Sequence, residues 1–448
     1  MGKASTNASL FVYLLVGQVL LSTFTHSMAV SMRALHSSSA SAESQDDRQS
    51  VCMETPTVFL TVSSIAKSKK GELHDRIIEI NWNYLEPQSG DWVGLFDHDP
   101  DENGTEPLNR VSVGNLPRGY IKSDYRLPRL SLTDREDSCL GFWIALIRDE
   151  RVLLRNCLRI YPKWMKENRN IIGDMPLSSL IIPGTHNSGS WREYEGPASD
   201  TVFYRYLINQ DEPVYRQLMH GIRYLDIRVG YYPKSEEKFW INHNFYRMRA
   251  LSEIIADVKK FVEETGEIVI LDFHRFPVGF EGQRSKHALL VEYIHSELGP
   301  HIVPNSLWPH GTPNDIWNVN KSVIIAYSDT QTAQQYPYLW PPLPQEWGDK
   351  RTLPELKEFL GDSLKKRGGK GRIWAAMAEF TPKPLDVVLR PTQGLRNMAQ
   401  TVNIPMTYWF QDRTWNSRSN IIATDFFLGN NIIQTSINSN IKGFQCTP

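Results

Sequence analysis

The stretch Ser178-Ser179-Leu180-Ile181-Ile182-Pro183-Gly184-Thr185-His186-Asn187-Ser188-Gly189 decides how this chain is read. An apolar run of strand length ends in Pro-Gly, and a His-Asn pair follows at once. A strand that carries a histidine at its C-terminal tip, on a glycine-flanked turn, is how a barrel enzyme places a catalytic base. Polar residues recur at later strand tips: Asp226 and Arg228, His243, Asp272 and His274, and Asp425.

Working outward, strands alternate with helices from about residue 161 onward. Residues 212–221 and 251–265 have helical apolar spacing, whereas 222–229, 239–244, 268–275, 323–329, 373–380 and 420–427 read as strands. Apolar runs separated by helices predict a parallel sheet covered on both faces. With about 285 residues available, a closed (β/α) barrel of TIM type fits best. A Trp/Pro-rich insertion, 336–347, interrupts the order after the fifth strand, and its aromatic rings suit either a lipid interface or a loop packed on the barrel. Between about 52 and 160 the pattern is short β runs with turn clusters and no helical period, which predicts a small all-β sandwich. The expected fold is therefore α/β: residues 52–160 a sandwich, residues 161–448 a TIM-like barrel.

Side chains alternate across a strand. Tyr224, Asp226 and Arg228 share one face of the second barrel strand, and Leu225, Ile227 and Val229 share the other. The purely apolar face belongs against helices, so the polar one faces the interior, with Arg228 nearest the mouth. Ile270, Asp272 and His274 share a face by the same rule, as do Ala423 and Asp425. Buried charges are costly unless paired. Inward Asp, Arg and His at successive strand tips therefore predict an interior polar network where barrel active sites sit. Two histidines, a cation and carboxylates suit phosphodiester cleavage by an internal nucleophile. One histidine takes a proton and the other gives one, and the arginine stabilises charge on the phosphoryl oxygens. Tyr327, Asp329 and Glu379 lie near other strand ends. Tyr327 and Glu379 join Asn187, Asp272 and His274 as candidate substrate contacts.

Three segments together, Pro183-Gly184-Thr185-His186-Asn187-Ser188-Gly189, the run Gly221–Arg228 and His243-Asn244, resemble the phosphatidylinositol-specific phospholipase C X domain, and within it the X-domain-containing proteins. The resemblance covers roughly residues 165–435. It implies that His186 is the general base on the inositol 2-hydroxyl, that His243 is the general acid toward the diacylglycerol oxygen, and that Asp425 orients His186. Diacylglycerol and an inositol cyclic phosphate would be the products. Calcium-dependent members carry a carboxylate at the position of Arg228, and metal-independent bacterial members carry an arginine. Those bacterial members also have Asp after the first histidine, where this chain has Asn187, the calcium-dependent type. The expectation is no metal, because Arg228 would repel a cation, with calcium as the alternative. Asp226 would then pair with Arg228 or His243. The functional alternatives are an X-domain barrel that binds inositol lipid or a protein without turnover, and a magnesium-using phosphodiesterase. The last would need carboxylates near the first histidine, and only Glu193 and Glu195 are nearby.

Bulk properties limit the partners. Net charge is −1 over 448 residues, so there is no basic footprint for nucleic acid. Lys3 followed by the apolar run 9–21 and small residues to Ala29 reads as a secretory signal peptide at 1–29, with a retained membrane anchor as the alternative. A polar Ser/Ala-rich leader follows at 30–51. No later segment reaches spanning length, so a secreted protein meeting phospholipid at a membrane surface is expected. Four cysteines, an even number, suggest two disulfides. Cys139 and Cys157 flank a hairpin and could face each other across it, which would leave Cys52 and Cys446 as a clasp. Sequons at Asn103-Gly104-Thr105 and Asn320-Lys321-Ser322 fit a secreted glycoprotein.

Overall fold

A computed structural model describes residues 56–442, apart from Leu85 and residues 104–105, 130–131 and 133–135. The expected signal peptide, the leader, the Cys52–Cys446 clasp and the Asn103 sequon lie outside the described residues.

The N-terminal part is two facing antiparallel sheets. One holds β1 (Thr57–Val62), β4 (Ile77–Asn83) and β7 (Arg118–Arg126), in that order. The other runs β6 (Asn109–Ser112), β5 (Trp92–Phe96), β8 (Ser138–Arg148), β9 (Arg151–Ile160). A small hairpin of β2 (Lys67–Lys69) and β3 (Glu72–His74) stands apart. Alternate residues of both sheets, including Val58, Leu60, Ile78, Ile80, Val93, Leu95, Ile144 and Leu146, form one buried core. That shared core is what defines a sandwich. Asp149 and Glu150 both take positive φ, as a two-residue turn of the twist-matching type requires, and join β8 to β9. A disulfide links Cys139 to Cys157 across this hairpin, as their positions suggested.

The remainder is an α/β barrel of TIM type. Parallel strands β17 (Ala375–Met377), β18 (Ile421–Thr424), β10 (Ile182–Thr185), β11 (Tyr224–Tyr231), β14 (Val269–Val278) and β15 (Val323–Tyr327) are neighbours in that order. The wall continues past β15 through Trp340, which pairs with Ala326, and then through β16 (Gln345–Glu346), which pairs with β17. Helices α1 (Val214–His220), α2 (Leu251–Thr265), α3 (Arg284–Leu298), α4 (Leu353–Arg367), α5 (Leu395–Gln411) and α6 (Ile432–Lys442) cover the outside. The alternation rule sorts the side chains. Ile182, Tyr224, Ile270, Ile324, Ala375 and Ala423 fill the interior. Leu225, Ile227, Val229, Leu271 and Phe273 pack outward with residues of α1, α2 and α3.

Two expectations need correction. Residues 239–244 are not a parallel stave. β12 (Phe239–His243) runs antiparallel to the upper end of β11 and forms a ribbon with β13 (Tyr246–Ala250). Its close approach requires glycine at 230, where a Cβ would lie 2.5 Å from Asn242 Oδ1. The Trp/Pro-rich insertion is not an interruption either. Trp340 is fully buried, and its N–H donates to Ile325 O, so Trp340 completes the wall, while Trp347 at the end of the insertion is exposed.

Candidate active site

The site is assembled at the C-terminal ends of the parallel strands. His186 leaves the tip of β10, and its backbone N–H donates to Thr424 O at 3.1 Å, which joins the tip to β18. Its ring Nδ1 lies 2.9 Å from Asp425 Oδ1. A carboxylate only accepts, so Nδ1 carries the proton and Nε2 is the free nitrogen of the neutral ring. Burial pushes the His186 pKa down, but the carboxylates of Glu379 and Asp425 outweigh burial and leave it raised.

His243 ends β12, and its Nδ1 is 2.8 Å from the Leu207 carbonyl oxygen. A carbonyl also only accepts, so this ring too presents Nε2. Burial, helped by the neighbouring Arg228 and His186, lowers its pKa to about 3 against the pull of that carbonyl.

Asp226 and Arg228 pair on the inward face of β11. Arg228 donates to Asp226 Oδ2 from its terminal nitrogen at 2.9 Å and from Nε at 3.1 Å. The Asn187 backbone N–H donates to the same oxygen at 2.9 Å. Burial works to raise the Asp226 pKa. The Arg228 guanidinium, with His186, His274 and the Asn187 N–H, overcomes it and holds the group well below the usual carboxylate range.

Behind this pair lies a second layer. Tyr224 Oη donates to Asp272 Oδ2 at 2.7 Å. Gln345 Nε2 reaches Tyr224 Oη, Asp272 Oδ2 and Asp226 Oδ1 at 2.9, 3.1 and 3.2 Å. His274 Nδ1 is 3.6 Å from Asp272 Oδ2. Glu379, just past β17, is buried with neither carboxylate oxygen bonded to protein. Burial, foremost, raises its pKa to about 7, and Asp425 adds to the effect.

The structure thus gathers His186, Asp425, Asp226, Arg228, His243, Asp272, His274 and Glu379 around one mouth. Asn187 is held beside them in a left-handed conformation (φ 45°), with its side-chain amide nitrogen enclosed and unpartnered. Tyr327 does not belong. It points outward, fully buried, against Phe273 and Phe276, and bonds His287 Nδ1 through its hydroxyl at 2.8 Å. Sequence reading passed over Asn209, Gln210 and Gln345, because single amides carry no motif. Asn209 Nδ2 donates to Asp425 Oδ1 at 3.0 Å. Gln210 Nε2 donates to the carbonyls of His186 and Thr424 at 3.1 and 2.8 Å.

The guanidinium of Arg228 engages the Asp226 carboxylate, and a hard cation wants several free oxygen ligands. Among the described residues no cluster of three or more His, Cys, Asp or Glu could hold a metal. Glu193 pairs with Arg129 instead.

No family model matches the chain. It is 25% identical over 305 residues to the "PI-PLC X domain-containing protein 3" of Mus musculus, covering 62% of this chain and 94% of that one. The protein of the same name from Danio rerio is 26% identical over 291 residues, covering 59% and 89%. The human "PI-PLC X domain-containing protein 2" is 25% identical over 254 residues, covering 52% and 82%. The chain is thus similar to the proteins its motifs resemble. Among solved structures, a phosphatidylinositol-specific phospholipase C of Staphylococcus aureus covers 62% of this chain and 97% of its own, with 13% identity and a TM-score of 0.47. The enzyme of Listeria monocytogenes gives 15% identity over the same shares, with a TM-score of 0.46.

Proposed function

We propose that the protein is a phosphodiesterase of phospholipase C type that acts on an inositol phospholipid or a glycosylphosphatidylinositol. One observation carries this reading. Two histidines at one mouth each have Nδ1 tied to an acceptor, Asp425 or Leu207 O. Both Nε2 atoms are thereby free to move protons, with a guanidinium beside them. His186 takes the proton of the inositol 2-hydroxyl as that oxygen bonds to phosphorus. The bond from phosphorus to the glycerol oxygen breaks, and His243 Nε2 protonates the departing oxygen. Diacylglycerol and an inositol 1,2-cyclic phosphate result. Arg228 stabilises the charge gathering on the phosphoryl oxygens. His243 is neutral in the free protein, and the phosphodiester anion supplies the charge that raises its pKa on binding. Asp272, His274, Glu379 and Asn187 are the residues proposed to meet inositol hydroxyls. The cycle is read as metal-independent, with Arg228 in the place of a cation.

Several exposed apolar side chains support a lipid surface as the place of action. Phe245 is 71% exposed beyond His243, and Leu389 is 72% exposed on the turn Pro384–Leu389. Phe203, edge-on to Tyr246, and Trp347 are exposed as well. No helix among the described residues is long and apolar enough to cross a membrane. The Cys139–Cys157 disulfide favours an oxidising compartment and hence secretion. Appearance of the oxidised chain in the medium of expressing eukaryotic cells tests this.

Purified protein is assayed on phosphatidylinositol vesicles with and without chelator. Cyclic phosphate in both supports the proposal. None in either rejects the enzyme, and vesicle binding that survives His186→Ala would then favour a binding module. Loss only with chelator rejects the metal-free version.

A further inference from the structure

The strap Leu207–Glu212 touches every part of the acid–base machinery. Leu207 O accepts from the His243 ring, and Asn209 donates to Asp425 with its Nδ2 3.4 Å from His186 Nδ1. Gln210 bonds the carbonyls of His186 and Thr424, and its Oε1 accepts from Phe427 N at 3.3 Å. All of these residues except the half-buried His243 are buried. The far end of the strap carries two adjacent carboxylates, and both lead to the sandwich. Glu212 pairs with Arg76, which precedes β4, and the two side chains are 2% and 7% exposed. Arg396 of α5 pairs with Asp211 and donates to the Ser64 carbonyl, beyond β1, at 3.0 Å. Nothing in the barrel alone requires Arg76. Burial works to raise the Glu212 pKa, but Arg76 and Arg216 overcome it and keep the group charged. Arg216 of α1 pairs with the other Glu212 oxygen at 2.5 Å, so removing Arg76 leaves the carboxylate charged but cuts its tie to the sandwich.

We propose that the sandwich is a positioning element for catalysis: Arg76, through Glu212, holds the strap in the register that fixes both imidazole tautomers. This rests on the acid–base roles proposed above. Arg76 and Glu212 are positioning residues and touch no substrate. Backbone bonds hold the middle of the strap to the barrel, from Asn209 N and Gln210 N to Ser190 O at 2.8 and 3.2 Å and from Phe426 N to Asn209 O at 2.8 Å, and the Arg76–Glu212 pair anchors its far end to the sandwich.

The test uses the full chain. Arg76→Met is compared with Arg76→Lys and with Arg155→Met, which removes an ion pair to Asp99 inside the sandwich. Misplacing both histidines by a fraction of an ångström predicts a fall in kcat of about tenfold for Arg76→Met, with KM nearly unchanged. Arg76→Lys should regain most of it, and Arg155→Met should match the wild type. Imidazole ¹⁵N shifts supply the second readout. Both rings should be single Nε2-free tautomers in the wild type, and the His243 ring should become a mixture in Arg76→Met. Wild-type kcat and unchanged shifts in Arg76→Met overturn the proposal. If the wild type hydrolyses no lipid, the phosphodiesterase reading fails, and the ¹⁵N shifts still decide the positioning role. If Arg76→Met does not fold, Glu212→Gln replaces it, with the same expected loss and the same refuting result.

Discussion

Replacing Asp425 by Asn isolates charge from geometry at the base. Two donors, His186 Nδ1–H at 2.9 Å and Asn209 Nδ2 at 3.0 Å, converge on one oxygen of Asp425. An asparagine amide can turn its own oxygen to that point and satisfy both, so the His186 tautomer survives and only the negative charge is lost. A hydrogen bond to a charged group is worth about 1.5 kcal/mol more than a neutral one, which corresponds to a fall in kcat of about tenfold. Were the amide nitrogen turned toward the ring instead, the wrong tautomer would be stabilised, and the loss would approach about 10⁴-fold. The pH profile gives a second mark. His186 must be neutral to act as base, so activity rises as pH climbs through its pKa. Asp425 is one of the groups that raise that pKa, so the acid limb should move to lower pH in Asp425→Asn. Steady-state hydrolysis of phosphatidylinositol in mixed micelles between pH 4 and 8 measures both. Full activity with an unmoved limb would refute the orienting role, and a loss near the larger figure would refute the shared-oxygen argument.

Glu379→Gln removes the largest upward influence on His186, so its acid limb should also fall. It should also change stability. The Glu379 pKa is raised to about 7, so the native state keeps a proton that the unfolded chain releases, and stability declines as pH rises from the ordinary carboxylate range to about 7. The glutamine variant should abolish that decline and gain up to about 3 kcal/mol above pH 7, measured by urea unfolding. For His243, an NMR titration should find the ring neutral down to about pH 3 in the free protein, with its pKa moving up on binding a non-hydrolysable inositol phosphonate. A pKa indifferent to the phosphonate would remove it as general acid. Replacing both Cys139 and Cys157 by Ser reopens a loop with a sequence separation of 18 and should cost about 3 kcal/mol of stability with kcat preserved. A drop in kcat without unfolding would contradict a purely structural disulfide.

How far the sequence could be read depended on which residues had contrasting faces. In β11, charged and apolar residues alternate, so the inward set of Tyr224, Asp226 and Arg228 was evident and is found facing the barrel interior. In β15 every residue is apolar or aromatic, the alternation carries no sign, and Tyr327 was assigned to the wrong face. Strand direction is equally invisible to alternation, which is why β12 passed for a stave. The wall position of Trp340 could not be read because its neighbours are prolines, which deny most ladder bonds. The strap at Asn209 and Gln210 was silent for a different reason. Its contacts lie between 24 and 217 residues away in the chain, the pairings of Gln210 with Thr424 and Phe427 among them, and amide side chains advertise no spacing.

The ribbon of β12 and β13 has one last implication. His186 stands on a stave gripped from both sides, whereas His243 rides on an arm joined to β11 at three registered positions, with its ring bonded to the Leu207 carbonyl of the strap. Warming should loosen that arm well before the cylinder melts. Turnover should then fade at temperatures where circular dichroism still reports an intact molecule, and a crosslink from ribbon to strap should bring the two thresholds together.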